Sequence, residues 1–226
     1  FLKYKDGTLY NYGFDGIYPY IAGICDRRQS DKILDNVKNG LFTDCGVSAV
    51  DLRATYYRDN GYWNGSVWFP HQWILWKALL DDGQTDIATE IALKALTVYG
   101  KETDETYCSF ENFTIKTKRG NGYHQFSGLT CPCLNWFKAY FTPGSVSCGF
   151  LTQLYDIKKS GNGDFVEFSY TTETENACVL VCVNSEFEYN CFVDGKKVKT
   201  ATAINGAFYI NLIKKSGKIT VKIAEE

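Results

Sequence analysis

Glu111 lies between two phenylalanines, in Tyr107-Cys108-Ser109-Phe110-Glu111-Asn112-Phe113. A carboxylate in an apolar frame is costly unless it is paired or does chemistry. Three readings are open to it: a helix cap, an ion pair with Arg119, or a general base that takes a proton from water in a sugar cleft. Upstream, Tyr62-Trp63-Asn64-Gly65-Ser66-Val67-Trp68-Phe69-Pro70-His71-Gln72-Trp73 gathers tryptophans, a tyrosine, a histidine and two amides around an Asn-Gly turn. Aromatic faces bind the C–H faces of sugar rings, and amides bind their hydroxyls. The bland alternative is a core helix entered through an aromatic turn. Beyond Glu111, the glycine-rich Arg119-Gly120-Asn121-Gly122 leads into Tyr123-His124-Gln125-Phe126-Ser127. The candidate constellation is Glu111 as catalytic base, with Tyr62, Trp63, Asn64, Gly65, Trp68, His124 and Gln125 binding substrate. Trp73, Trp76 and Trp136 read as core. His71, at a helix start, is as much a structural donor as a sugar contact.

The elements that must hold these residues change character along the chain. Up to about residue 142 the pattern is helical. Arg27–Asn39 places apolar residues at Ile33, Leu34 and Val37 and ends at Gly40, a plausible C-cap. Gln72–Asp81 is a second helix. Thr85–Tyr99 is a third, with an apolar stripe of Ile87, Ala88, Ile91, Ala92, Ala95 and Leu96. Leu129–Phe141 is apolar nearly all round, which predicts a buried helix. Residues 1–24, 41–71 and 100–127 read as long aromatic loops, which compact domains keep when the loops carry function. Tyr4–Tyr10 reads as a hairpin closed by Asp6-Gly7. After Thr142-Pro143-Gly144 the pattern alternates as strands over Phe165–Tyr170, Ala177–Val183, Glu188–Val193, Lys197–Thr200, Ala207–Ile213 and Lys218–Ile223. Two domains are therefore expected: a helical one over 1–142, and a small antiparallel β-sandwich over 143–226.

Composition narrows the function classes. Over 226 residues the net charge is only −2, and no basic run is present to neutralise phosphates, so nucleic acid is not an expected partner. No apolar stretch reaches the roughly 20 residues of a membrane span. The nine cysteines are dispersed without a Cys-x-x-Cys pair, and only His71 and His124 are available to complete a mixed site. No metal and no cofactor are therefore expected. The cysteines read as reduced core thiols of a cytoplasmic protein. Asn64-Gly65-Ser66 and Asn112-Phe113-Thr114 match the glycosylation sequon, by chance on this reading. No signal peptide is visible and the chain has no methionine, which suggests a processed chain, a cut chain or a fragment.

Tyr62-Trp63-Asn64-Gly65-Ser66-Val67-Trp68 resembles the Tyr-Trp-(Arg/Asn)-Gly-x-(Val/Ile)-Trp motif of (α/α)-toroid glycoside hydrolases. Phe110-Glu111-Asn112-Phe113, then a glycine-rich turn and His124-Gln125-Phe126-Ser127, resembles their Glu-x-(Tyr/Phe) … Gln-Phe-(Gly/Ser) segment. Phe1–Tyr10, Tyr18–Ile24 and Phe42–Val47 are similar to further segments in the same order. The resemblance covers residues 1 to about 150. It points to glycoside hydrolase family 63 and its mannosylglycerate-hydrolase-like relatives, with trehalases further off. It implies a mainly α toroid, part of an (α/α)6 barrel, ahead of the β-sandwich. It also implies inverting hydrolysis of an oligosaccharide, α-glucosidase-like, with Glu111 as base and an acid about 6.5–9.5 Å away. The family's acid is an aspartate in a Gly-Trp-Asp segment, which this chain lacks. The chain is accordingly expected to be the C-terminal part of an enzyme whose N-terminal half is its partner. Two departures stand out: Gly128 replaces a tryptophan, and Asn64 stands where many relatives carry arginine. The alternatives are a carbohydrate-binding module without catalysis, a structural domain with aromatic core, and a phosphorylase. The last would need an anion pocket, and no basic cluster accompanies the motif.

Overall fold

Asp26 fixes the start of the first long helix. Its side chain accepts the Gln29 N–H at 2.8 Å, and its own N–H reaches the Gln29 side chain at 2.9 Å. That reciprocal capping box satisfies two donors that a helix start otherwise leaves open. The chain is described by a computed structural model covering residues 13–224; the expected hairpin at Tyr4–Tyr10 lies outside the described residues. The α-helices are α1 (Tyr18–Ile21), α2 (Arg27–Asn36), α3 (Phe69–Asp81), α4 (Thr85–Thr106) and α5 (Ser127–Phe141). The chain divides into two units. One takes residues up to Leu75 with Glu90–Leu134, the other Trp76–Thr89 with Asn135–Glu226.

In the first unit, α2 widens into a π-turn over Val37–Leu41, so Gly40 lies inside a helical turn and is not a C-cap. Strands β1 (Phe42–Thr43) and β2 (Gly46–Val47) then form a short hairpin. Strands β3 (Ser66–Val67), β4 (Asn112–Thr114) and β5 (Gly120–Asn121) make a three-stranded antiparallel sheet in that order. Val67 lies opposite Phe113, and Asn112 opposite Asn121. Phe113 is buried and stacks on Phe69, ring centres 4.6 Å apart. These pairings carry the aromatic motif and the Glu111 segment on one small sheet.

In the second unit, β6 (Val146–Ser147), β7 (Thr152–Lys159), β8 (Phe165–Thr172) and β9 (Cys178–Cys182) are followed by β10 (Tyr189–Val193), β11 (Lys196–Val198), β12 (Ala201–Ile204), β13 (Ala207–Asn211) and β14 (Ser216–Ile223). They form a five-stranded sheet, order β11-β10-β14-β8-β7, and a four-stranded sheet, order β12-β13-β9-β6. All pairings are antiparallel. One apolar cluster joins both sheets: Val166, Phe168 and Tyr170 of β8, Val179 and Val181 of β9, Ile210 of β13, Ile219 and Val221 of β14. Every residue of β9 is buried, because its other face is covered too. There the Tyr209 hydroxyl bonds that of Tyr140 at 2.7 Å, and the Trp76 indole N–H donates to Tyr140 at 3.0 Å. Burying these polar groups is tolerable only because they bond one another.

This architecture corrects the expectation of a mainly α toroid. Five α-helices, one of them a single turn, do not make a ring of helical hairpins, and fourteen strands accompany them among the described residues. The physical reason is visible in the segments read as aromatic loops. Residues 41–71 and 100–127 are pinned by main-chain pairing in β1–β5. Helix α5 also departs from the sequence reading. Leu134, Phe137 and Phe141 are exposed on it, so an apolar composition does not here mean burial on all sides. The nine cysteines are free thiols. Burial pushes the Cys45 and Cys182 thiols up to about 11 and Cys178 and Cys191 to about 12, which makes them poor nucleophiles. No described helix is long and apolar enough to cross a membrane. No described cluster of His, Cys, Asp and Glu has the make-up of a metal site.

Candidate functional site

Glu111 directly precedes β4, and Gly122 directly follows β5. Their hairpin closes with the Glu111 N–H donating to the Tyr123 carbonyl at 3.0 Å. The Tyr123 N–H returns to Glu111 Oε2 at 3.3 Å. The other oxygen, Oε1, accepts from the Tyr62 hydroxyl. That bond to the carboxylate is also what raises the Tyr62 phenol above its ordinary pKa. Each carboxylate oxygen thus has one neutral donor, and the side chain is half-buried.

Gly122 makes this possible. Its φ is +77°, and a Cβ there would fall 2.6 Å from Glu111 Oε2 and 3.0 Å from Asn112 Nδ2. Only a residue without a side chain gives the carboxylate that space.

Arg119 is committed elsewhere. Its Nε bonds Glu102 Oε2 at 2.7 Å and its guanidinium also reaches Glu105 at 2.8 Å. Glu102 further accepts the Gly120 N–H at 2.9 Å. Burial pushes the Glu102 pKa up, but Arg119 and the Gly120 N–H outweigh it and hold the net value below the ordinary range. Glu102, not Glu111, is therefore the structural carboxylate that Arg119 pairs with.

The aromatic motif reaches Glu111 through Tyr62. That ring meets Trp63 and Trp68 edge-on, at 5.3 and 4.8 Å between centres. The two indoles stack at 4.3 Å and 10°. Trp68 is buried and its indole N–H donates to the Tyr62 carbonyl at 2.9 Å, while Trp63 is 56% exposed. One indole is thus a wall and the other its support. Asn64 faces backbone, with its Nδ2 on the Tyr56 carbonyl at 2.6 Å. Gly65 is buried, and a Cβ on it would meet the Arg58 carbonyl oxygen at 1.6 Å. These two shape the turn. His124 and Gln125 are exposed. Gln125 is anchored by a bridge to Ser109, beside the Phe126 N–H bond to the Ser109 carbonyl at 2.8 Å. The structure thus brings Tyr62 to Glu111, with Trp63 and Trp68 packed on the Tyr62 ring, and leaves His124 and Gln125 exposed on the surface. The chance reading of the sequons is consistent with Asn112, which is fully buried and accepts from Asn121 at 2.9 Å.

Beside Trp63 an open cavity of about 270 Å³ is lined by Phe14, Asp15, Tyr56, Trp63, Asn64, His71 and the chain at Gly13, Ala49 and Val50. The His71 ring stacks on Phe14 at 5.0 Å and on Trp63 at 5.8 Å. Burial lowers its pKa, with Asp15 pulling the other way. Sequence reasoning missed Phe14, Asp15 and Tyr56 as lining residues. The short Gly-Phe-Asp-Gly run has no periodicity to flag it. The Tyr123 amide was also beyond it, because backbone donors leave no mark in residue types.

The family profile described as the mannosylglycerate hydrolase MGH1-like glycoside hydrolase domain matches residues 6–127. No curated protein sequence matches the chain. Among solved structures, an uncharacterized conserved protein from Thermus thermophilus is 20% identical with a TM-score of 0.51, covering 56% of this chain and 31% of that one. A GH63 mannosylglycerate hydrolase from the same organism, in complex with glucose, is 19% identical with a TM-score of 0.48, covering 56% and 29%. A third, titled glycoside hydrolase, covers 95% of this chain and 47% of that one at 11% identity and a TM-score of 0.39. The chain thus spans about 30% of the length of the first two. With more than half of its residues matched by one profile, this chain belongs to the mannosylglycerate hydrolase MGH1-like glycoside hydrolase domain family.

Proposed function

We propose that the chain is part of an inverting glycosidase in which Glu111 is the general base. The observation that carries this reading is the setting of one carboxylate: half-buried, held by the Tyr62 hydroxyl and the Tyr123 N–H rather than by a cation, with the Tyr62 ring itself packed on two stacked indoles. A carboxylate locked to a guanidinium would be a structural fixture. One oriented by neutral donors keeps lone pairs for a water molecule. In the proposed reaction that water attacks the anomeric carbon while Glu111 takes its proton, and the exposed Trp63 face holds the sugar ring. The proton donor for the leaving oxygen is proposed to come from outside these 226 residues. It would stand about 6.5–9.5 Å from Glu111, leaving room for the water. The substrate is proposed to be an α-linked oligosaccharide; His124 and Gln125 would meet it at the rim.

The test is the configuration of the first product. Proton NMR of an early time course, taken with the full-length protein on an α-glucoside, should show the β-anomer ahead of mutarotation. First appearance of the α-anomer would mean retention and would remove the water-activating role.

A further inference from the structure

The Tyr123 amide holds Glu111, but the Tyr123 ring takes no part in that bond. The ring is 57% exposed, and Phe126 and His124 are exposed beside it. Phe126 meets it edge-on, at 6.5 Å and 89°, and His124 lies tilted against it at 5.5 Å and 38°. Edge and tilted contacts support a ring without covering its faces. A single exposed aromatic needs no explanation, but a group of them marks a binding surface. Main-chain bonds fix this group to both sides of the Glu111 segment. The Glu111 N–H donates to the Tyr123 carbonyl at 3.0 Å, and the Phe126 N–H to the Ser109 carbonyl at 2.8 Å. Two exposed rings are thus reached from the two oxygens of one carboxylate. Trp63 is reached from Oε1 through Tyr62, and Tyr123 from Oε2 through its own N–H.

We infer that the Tyr123 ring is a second stacking platform for a sugar, and that the substrate is an oligosaccharide gripped through more than one of its rings. The inference rests on the proposed sugar-binding role of Trp63 and specifies the length of the substrate. Ring faces mixed with hydrogen-bonding edges suit a polyhydroxyl ligand. Here the exposed Gln125 amide and His124 imidazole supply those edges next to Tyr123. Because the backbone already fixes the platform, little ordering cost opposes the contact.

The test compares two probes on the full-length protein by isothermal titration calorimetry. One is methyl α-D-glucoside, with a single ring. The other is the S-linked methyl α-maltotrioside, with three rings and sulfur linkages that resist hydrolysis. The trisaccharide should bind about fivefold or more tightly than the glucoside, the scale of one added aromatic contact. Tyr123→Ala keeps the backbone N–H that Glu111 accepts, so it removes the ring alone. It should weaken the trisaccharide by roughly two- to tenfold and leave the glucoside unchanged, and Tyr123→Phe should restore the difference. Trp63→Ala should weaken both probes. Trisaccharide binding no tighter than glucoside binding, or unaltered by Tyr123→Ala, would overturn the inference alone. Equal weakening of both probes by Tyr123→Ala would do the same, because it would mark a general disturbance of the hairpin. Absence of binding by either probe would overturn it together with the sugar-binding reading of Trp63. Hydrolysis plays no part in the readout, so failure of Glu111 as a base would leave these ratios standing.

Discussion

Gly122→Ala isolates the geometry around the carboxylate. Two separate effects follow from the structure. The left-handed backbone, φ +77°, costs an ordinary residue about 1–2 kcal/mol. For a chain of this size that corresponds to a melting temperature lower by about 2–8 °C. The new methyl would also sit 2.6 Å from Glu111 Oε2, where ordinary contact begins near 3.4 Å, so the oxygen must move by the difference, about 0.8 Å. Displacing a reacting group by about 1 Å costs on the order of a hundredfold in rate. Gly195→Ala is the control: its φ is +76°, with no atom within 4 Å of the added methyl. Both variants should lose comparable stability by calorimetry. Made in the full-length protein, only Gly122→Ala should lose turnover, by ten- to a hundredfold with KM little changed. Equal turnover in the two variants would refute the claim that this carboxylate must be held in place.

Two further predictions concern pH. The His71 pKa is depressed in the fold, so its contribution to stability is full above the unfolded value near 6.5 and is lost as pH falls through the lower folded value; thermal melts of His71→Gln between pH 7 and 5 should be flatter than those of the wild type, and parallel curves would exclude this residue as the source. The net pKa of Glu102 is also depressed, so its stabilisation is full above about 4.3 and is lost as pH falls through the lower folded value; Glu102→Gln should melt well below the wild type at pH 7, with the gap closing below pH 4, and a gap of constant width would show that Arg119 does not depend on this charge.

The regular elements were legible where one residue type had one job. The α4 stripe predicts a helix from Thr85, and the helix starts there and runs on to Thr106. Alternation over Phe165–Tyr170 matches β8, whose alternate residues Val166, Phe168 and Tyr170 are buried. The departure from a mainly α toroid was not legible, because β1 to β5 are two or three residues each and show no period at that length. At the site, the nearness of an isolated glutamate to an aromatic turn was readable from the residue types. The identity of its holders was not: Tyr62 reads as a sugar wall until its hydroxyl is seen on Glu111. Asn64 and Gly65 read as ligand contacts, and their place in the turn, against the Tyr56 and Arg58 carbonyls, was not legible.

The central claim is that Glu111 removes the proton from the attacking water. Glu111→Gln keeps the size and the Tyr62 contact while removing the base. In the full-length protein, turnover of an α-linked glucoside should fall at least a hundredfold, the scale of general acid–base assistance, while sugar affinity stays within about tenfold. Near-normal turnover in that variant would contradict the account.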